Sequence, residues 1–303
     1  LGVNMKLIIG KYNEIKNDKP LALAIGNFDG VHLGHQALIN QLLTFDSSFQ
    51  KGVMSFSPHT MQFFTKDQFQ TIHTVDDKLN ELNKYPLDLV YLVTFDLEFS
   101  NLEVKDMIDF LKRINVKKVV VGSDFRFGKK GLGKPRDLAN DFELYVVNDV
   151  YYEDVLVSST LIKDYISNGN LEAAKKLLNH EYLISAKVIS GNQIGKTIGF
   201  PTANLDYDNV LLPPNGVYFV RVHYQNELFY GMANIGYNPT INYSKEKKLE
   251  VHIIDFDKSI YDEIIKIEFI KWLRPERKFN SKADLINQLE NDKNDIIKLS
   301  KTY

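Results

Sequence analysis

The chain has 303 residues, 44% of them hydrophobic and 25% charged, and its 37 Lys and Arg nearly balance 39 Asp and Glu. That balance speaks against a surface built to coat nucleic acid or an anionic membrane. The absence of cysteine excludes disulfides, thiolate catalysis and Cys-ligated metal sites. At this length two domains are expected rather than one.

Apolar runs such as Leu21–Ile25 are far too short to span a bilayer. Residues 1–4 precede Met5, and no apolar core follows a basic flank there, so Met5 is expected to be the native start with no signal peptide. The cytoplasm is the expected compartment, with no membrane and no nucleic acid among the partners.

In chain order, short apolar runs at 21–25, 52–56, 89–93, 117–121 and 144–147 predict strands. Between them lie helical patterns, including Leu38, Ile39, Leu42 and Leu43, then Met107, Ile108 and Leu111. This alternation predicts crossover units on a doubly wound parallel sheet, with ligands beyond the carboxyl ends of the strands. From about residue 180 the runs at 182–189, 217–222, 228–232, 249–254 and 264–270 follow one another with turns and little helix. They predict an antiparallel sheet or small barrel. A closing helix is expected from Ser281 as N-cap, with Leu285, Ile286, Leu289, Ile296 and Ile297 apolar. The domain boundary is placed near Asn179, giving domains 5–179 and 180–303.

The first run ends in Gly26-Asn27-Phe28-Asp29-Gly30-Val31-His32-Leu33-Gly34-His35 and leads into a helix. Glycines here let backbone approach a bulky ligand, and a new helix offers free N–H groups and a positive dipole end to phosphate. His32 and His35 stand where they can donate to phosphate oxygens during attack on the α-phosphorus of a nucleoside triphosphate. Charge builds on those oxygens in the transition state, and no protein nucleophile is needed. Ser158, Ser159 and Thr160 open another helix, either as a generous N-cap or as a second phosphate clamp with Lys163 one turn in. Two strand-end loops are suited to gripping a flat ring: Phe56-Ser57-Pro58-His59 and Gly122-Ser123-Asp124-Phe125-Arg126-Phe127-Gly128.

In the second half, Gly191-Asn192-Gln193-Ile194-Gly195-Lys196-Thr197 fails as a Walker A loop by one residue, and Gly199 and Pro201 would break the helix that loop must start. It reads instead as a glycine-bearing flap with a cation, Lys196, leading to Thr202 and Asn204. Those two share parity in an extended segment, so their oxygens point one way and suit Mg²⁺ beside phosphates, unless they merely satisfy a turn. Glu250, mid-strand among apolar residues, is either an edge-strand charge or a general base for a substrate hydroxyl.

These segments, in this order, resemble the prokaryotic bifunctional riboflavin kinase/FMN adenylyltransferases, or FAD synthetases. The resemblance covers essentially residues 20–295. In the second half it also includes Leu212-Pro213, Gly216-Val217-Tyr218, Asn234-Ile235-Gly236, Asn238-Pro239-Thr240 and Leu273-Arg274-Pro275-Glu276. It implies a nucleotidyltransferase domain followed by a flavokinase β-barrel, with riboflavin, FMN and ATP as substrates and Mg²⁺ as cofactor. It further implies that Gly26, Asn27, Phe28, Asp29, Gly30, His32, His35, Ser158, Ser159, Thr160 and Lys163 bind ATP for adenylyl transfer. Phe56, Pro58, His59, Asp124, Phe125, Arg126 and Phe127 would then line the flavin side. In the kinase, Gly191, Gly195, Lys196, Thr202 and Asn204 would hold Mg-ATP, and Glu250 would meet riboflavin and activate its ribityl 5′-hydroxyl. Lys163 and Lys196 stand where this family usually has Arg, keeping the charge but losing the two-pronged fork. Two rivals stay open: a chain with one working module, and a nucleotidyltransferase for a different acceptor.

Overall fold

A run of five apolar residues, all buried, opens the first predicted crossover; such a strand must be covered on both faces. The computed structural model describes residues 5–191, 195–237 and 247–302, which fall into two compact units, Leu1–Ser159 and Thr160–Tyr303.

The first unit carries strands β1 (Lys6–Gly10), β2 (Leu21–Ile25), β3 (Gln50–Ser57), β4 (Leu89–Thr94), β5 (Val116–Gly122) and β6 (Glu143–Val147). They form a six-stranded sheet in the order β1-β4-β3-β2-β5-β6, parallel throughout. The helices are α1 (Leu33–Leu43), α2 (Thr60–Thr65), α3 (Val75–Leu82), α4 (Leu97–Ser100) and α5 (Val104–Arg113), and a short hairpin of β7 (Tyr151–Tyr152) and β8 (Val155–Leu156) follows. Parity along β2 decides which helix each side chain meets. Leu21, Leu23 and Ile25 join Met107, Phe110 and Leu111 of α5 in one core, while Ala22 and Ala24 join Leu38, Ile39 and Leu42 of α1 in the other. Helices on both faces make the sheet doubly wound, as predicted. The chain steps from β2 to β3 to β4, then returns past β2 to β5, so the order reverses beside β2. In open sheets ligands bind beyond the strand ends at that reversal.

The second unit holds α7 (Leu171–Leu178) and a closed antiparallel barrel; α6 (Ser159–Ser167) begins at the division. The barrel strands are β9 (Leu183–Ile189), β10 (Ala203–Asp206), β11 (Gly216–Tyr224), β12 (Glu227–Tyr237), β13 (Lys247–Ile253) and β14 (Ile264–Arg274), in the cyclic order β10-β13-β12-β11-β14-β9. The structure thus divides the chain ahead of α6, whereas the sequence pattern changes after α7. Burial accounts for α7 staying with the barrel: it packs on β14 with Leu171, Ala174, Leu177 and Leu178 buried. Lys175 of α7 pairs with Glu181 at 2.6 Å, whose carboxylate lies 3.8 Å from Arg221 of β11.

The closing helix α8 (Lys282–Leu299) has Ser281 as its N-cap, the hydroxyl accepting from the Asp284 N–H at 3.1 Å. Ile286, Leu289, Ile296 and Leu299 pack onto Phe200, Val217, Phe219 and Met232 of the barrel, while Ile297 points outward. Buried Asp292 takes Arg274 of β14 in a two-pronged ion pair at 2.7 to 3.0 Å, fixing α8 to the barrel.

Candidate functional sites

At the carboxyl end of β2 the backbone takes turns that side-chain-bearing residues seldom adopt. Phe28 is left-handed at φ 53°, Gly30 has φ 82° and Val31 has φ 41°. Such a conformation needs over-determination by its surroundings. Phe28 supplies it as a fully buried ring, and the Asp29 carboxylate accepts the Ile72 N–H at 2.8 Å. The turn delivers His32 and His35 one above the other, rings stacked at 3.7 Å, with Phe28 5.0 Å from His35. Gly34 makes room for this: a Cβ there would lie 3.0 Å from the His32 ring.

His32 is only 6% exposed, and burial lowers its pKa from 6.5 to about 4. Burial, reinforced by the neighbouring His32, holds His35 well below its usual range. Both rings are therefore neutral at neutral pH. Ser159 gives its one hydroxyl proton to the Asp29 carbonyl at 3.1 Å and lies 3.2 Å from His32 Nε2, so Nε2 carries the ring proton and donates to Ser159. The Nδ1 atoms of both histidines are buried without a hydrogen-bond partner. The sequence predicted two donors facing phosphate; the structure adds that the His32 donor is shared with the Ser159 hydroxyl. Ser159 thus sits at the histidine turn, and Thr160 and Lys163 follow it along α6.

Asn27 joins this turn to the neighbouring loop. Its amide donates to the Thr60 hydroxyl at 3.1 Å and its carbonyl accepts from Ser55 at 2.9 Å. In that loop, after Pro58, His59 caps α2 by accepting the Met61 N–H at 3.1 Å and stacks on Phe69 at 4.5 Å. Phe56 is in the core, against Phe95 and Phe99. On the other loop, Asp124 and Arg126 are exposed, Phe125 is half-buried and Phe127 is buried beneath it, the two rings parallel at 5.8 Å. One participant went unnoticed in the sequence: Lys78 of α3, buried against this turn. A lone Lys in an amphipathic helix carries no signal of burial.

The second constellation is written in strand register. Glu250 on β13 stands directly opposite Asn204 on β10 and opposite Asn234 on β12. Partners opposite each other share a face, so the three polar residues form a row across adjacent strands. Met232, two residues from Asn234 and of the same parity, packs in the cluster with α8, whereas Leu249 and Val251, of opposite parity to Glu250, are buried. The row therefore lies on the outer, helix-bearing side of the barrel. Since β13 is paired on both sides, Glu250 is not an edge-strand charge.

Two glycines shape the approach to this row. A Cβ on Gly191 would fall 2.0 Å from the Asn204 amide nitrogen, and one on Gly195 would fall 2.2 Å from the Phe200 carbonyl oxygen and 3.4 Å from the Thr202 hydroxyl. His252 donates through Nδ1 to the Pro201 carbonyl at 2.8 Å, anchoring the turn before Thr202. Lys196 and Thr202 are exposed and Asn204 is half-buried. Asn192-Gln193-Ile194 and Asn238-Pro239-Thr240 lie outside the described residues. Among the described residues no cluster of three or more His, Cys, Asp or Glu could hold a metal. Thr202 and Asn204, opened by the missing side chains of Gly191 and Gly195, suit Mg²⁺ carried on a nucleotide.

Comparison with known proteins matches residues 14–161 to the FAD synthetase family and residues 178–300 to the riboflavin kinase family. A bifunctional riboflavin kinase/FMN adenylyltransferase of Listeria monocytogenes is 39% identical over 283 residues, covering 90% of each chain. Its counterpart in Bacillus subtilis is 36% identical over 289 residues, covering 91% of each. A solved structure from Streptococcus pneumoniae, described as a macrolide-efflux protein, is 31% identical and superposes with a TM-score of 0.84 over 96% of this chain and 98% of its own. No helix among the described residues is long and apolar enough to cross a membrane.

Proposed function

Because the chain belongs to the bifunctional riboflavin kinase/FMN adenylyltransferase family and makes FAD from riboflavin and ATP in two steps, we propose which of its side chains perform each step. The two activities divide near Asn179, in domains 5–179 and 180–303. Lack of cysteine and dependence on ATP support a cytoplasmic enzyme.

The observation that carries the kinase assignment is the row Asn204–Glu250–Asn234. Riboflavin offers its ribityl 5′-hydroxyl to Glu250, whose carboxylate takes the proton as the oxygen attacks the γ-phosphorus; the bond to the β-phosphate oxygen breaks and ADP leaves. Thr202 and Asn204 would hold the Mg²⁺ of Mg-ATP, which when bound neutralises charge on the phosphates. Gly191 and Gly195 keep the approach to Asn204 and Thr202 clear, and Lys196 gives a point charge to the triphosphate.

In adenylyl transfer a phosphate oxygen of FMN attacks the α-phosphorus of a second ATP and pyrophosphate leaves. Gly26, Asn27, Phe28, Asp29 and Gly30 shape the turn that receives the triphosphate. His32 and His35 stabilise charge on the phosphoryl oxygens. Ser158, Ser159, Thr160 and Lys163 form the second clamp. Phe125, Arg126 and Asp124 meet the flavin ring or its phosphate together with Pro58 and His59, while Phe56 and Phe127 support them from beneath.

Glu250→Gln keeps the shape but cannot accept a proton. Riboflavin phosphorylation should fall roughly a hundredfold or more, with FAD formation from supplied FMN unchanged. Separation of riboflavin, FMN and FAD by chromatography reads both steps in one incubation. A fall of less than about threefold would remove Glu250 as the base.

A further inference from the structure

Lys78 is 6% exposed, yet its three hydrogen bonds all go to neutral oxygens: the Ser55 hydroxyl at 2.8 Å and the Asn27 and Phe56 carbonyls, each at 3.3 Å. Burying an ammonium is expensive, and the nearby Asp29 carboxylate offsets only part of that cost. Its acceptors explain the location. Asn27 belongs to the turn after β2, while Ser55 and Phe56 lie near the end of β3, just ahead of the loop at Pro58 and His59. Ser55 also donates to the Asn27 carbonyl at 2.9 Å, so a hydroxyl from β3 and an ammonium from α3 grip the same atom.

We propose that Lys78 is a positioning residue for adenylyl transfer, its ammonium tying the nucleotide turn at Asn27 to the flavin-side loop at Phe56 so that the two substrates meet at a fixed separation. This rests on reading residues 26–35 as the nucleotide turn and residues 56–59 as part of the flavin side. The β2 and β3 backbones already pair as far as Ile25 and Met54, and the Gly26 N–H reaches the Met54 carbonyl at 3.1 Å. Beyond that point β2 turns away while β3 runs on to Ser57 beside β4, and polar ties between the two come from Ser55, Lys78 and the two Asn27–Thr60 bonds. Burial lowers the Lys78 pKa to about 8, so near pH 7 the group is still mainly an ammonium, set beneath a turn whose two histidines are neutral. Orientation of this kind is worth a great deal when two bound molecules must react.

Lys78→Met and Ser55→Ala, singly and together, test the idea in the full-length enzyme, with riboflavin phosphorylation in the same preparation as internal standard. Lys78→Met should lower kcat/KM for FAD formation about ten- to a hundredfold with KM for both ATP and FMN raised. The double variant should be little worse than the worse single one, because both side chains hold the same carbonyl. Unchanged KM values, or a loss of kcat alone matching a loss of folded protein, would overturn the proposal. If Lys78→Met does not fold, Ser55→Ala decides alone: a rise of about threefold or more in both KM values supports the tie, and unchanged values refute it. His32→Ala run alongside separates the premises. If it leaves FAD synthesis intact, the reading of the nucleotide turn has failed; if it abolishes synthesis while Lys78→Met does not, only the tie has failed.

Discussion

The two candidate sites are built by opposite means. In the first unit the chain bends through positive φ at Phe28, Gly30 and Val31 and buries two imidazoles stacked on each other and against Phe28. In the barrel the candidate groups sit in plain strand register on an outer face, where Gly191 and Gly195 lie flush against their neighbours. The difference follows the chemistry. Adenylyl transfer to FMN uses a nucleophile already ionised, so the protein contributes fixed, dry donors. Phosphorylation of a hydroxyl needs somewhere for a proton to go, the role proposed for Glu250 on the outer face of the barrel.

The sharpest way to break this contrast is to remove a ring from the first site. His32→Ala or His35→Ala should lower FAD formation about ten- to a thousandfold, in the range of losing one preorganised donor, while FMN formation continues at its normal rate. Wild-type FAD synthesis in both variants would end the assignment.

The elements bearing on that experiment differ in how visible they are in sequence. β2 was legible to the residue, because five apolar side chains bounded by glycine can only be a fully covered strand. β1 was missed: it is an edge strand with a lysine and half its surface in water, which mutes the apolar signal. β10 was read only as an extended segment, being four residues long behind a proline. The histidine turn and the polarity of Glu250 could be read, but not that Glu250 aligns with Asn204 and Asn234, since register between distant strands leaves no local trace. Lys78 and the Arg274–Asp292 pair were invisible for a different reason. A charged side chain in an amphipathic helix or at a strand end looks solvated until its burial is seen.

Acid should sharpen the contrast next. His32 is held at about 4 in the folded chain against an ordinary 6.5, so the unfolded chain binds a proton that the folded one refuses. The stability that neutral His32 provides is present above pH 6.5 and is lost as pH falls from there towards about 4, a change of about 3 kcal/mol. His35 is shifted the same way, and burial also lowers His252 in the barrel, so the decisive comparison is with His32→Gln. That variant should show a visibly flatter dependence of thermal midpoint on pH across this window, measured without ATP. An identical slope would mean that the ring is not titrating as its burial requires.

The smallest effect expected is at the two lysines. Lys163→Arg and Lys196→Arg each replace a point charge by a fork near phosphates, and each activity should stay within about tenfold of the original. A much larger gain at Lys163 alone would show that the first module works below its capacity as the chain stands.

The register of β13 has one more consequence. Side chains alternate across a strand, so sliding β13 by a single residue against β10 and β12 would turn Glu250 into the lumen and push Leu249 or Val251 out. A carboxylate inside would be stranded without solvent, and an aliphatic outside would leave the lumen underfilled. With Glu250 as the proposed base, a wrongly threaded barrel would be both unstable and silent as a kinase. Phosphorylating activity would double as a proofreading signal: a molecule that makes FMN would have closed its barrel in the correct alignment.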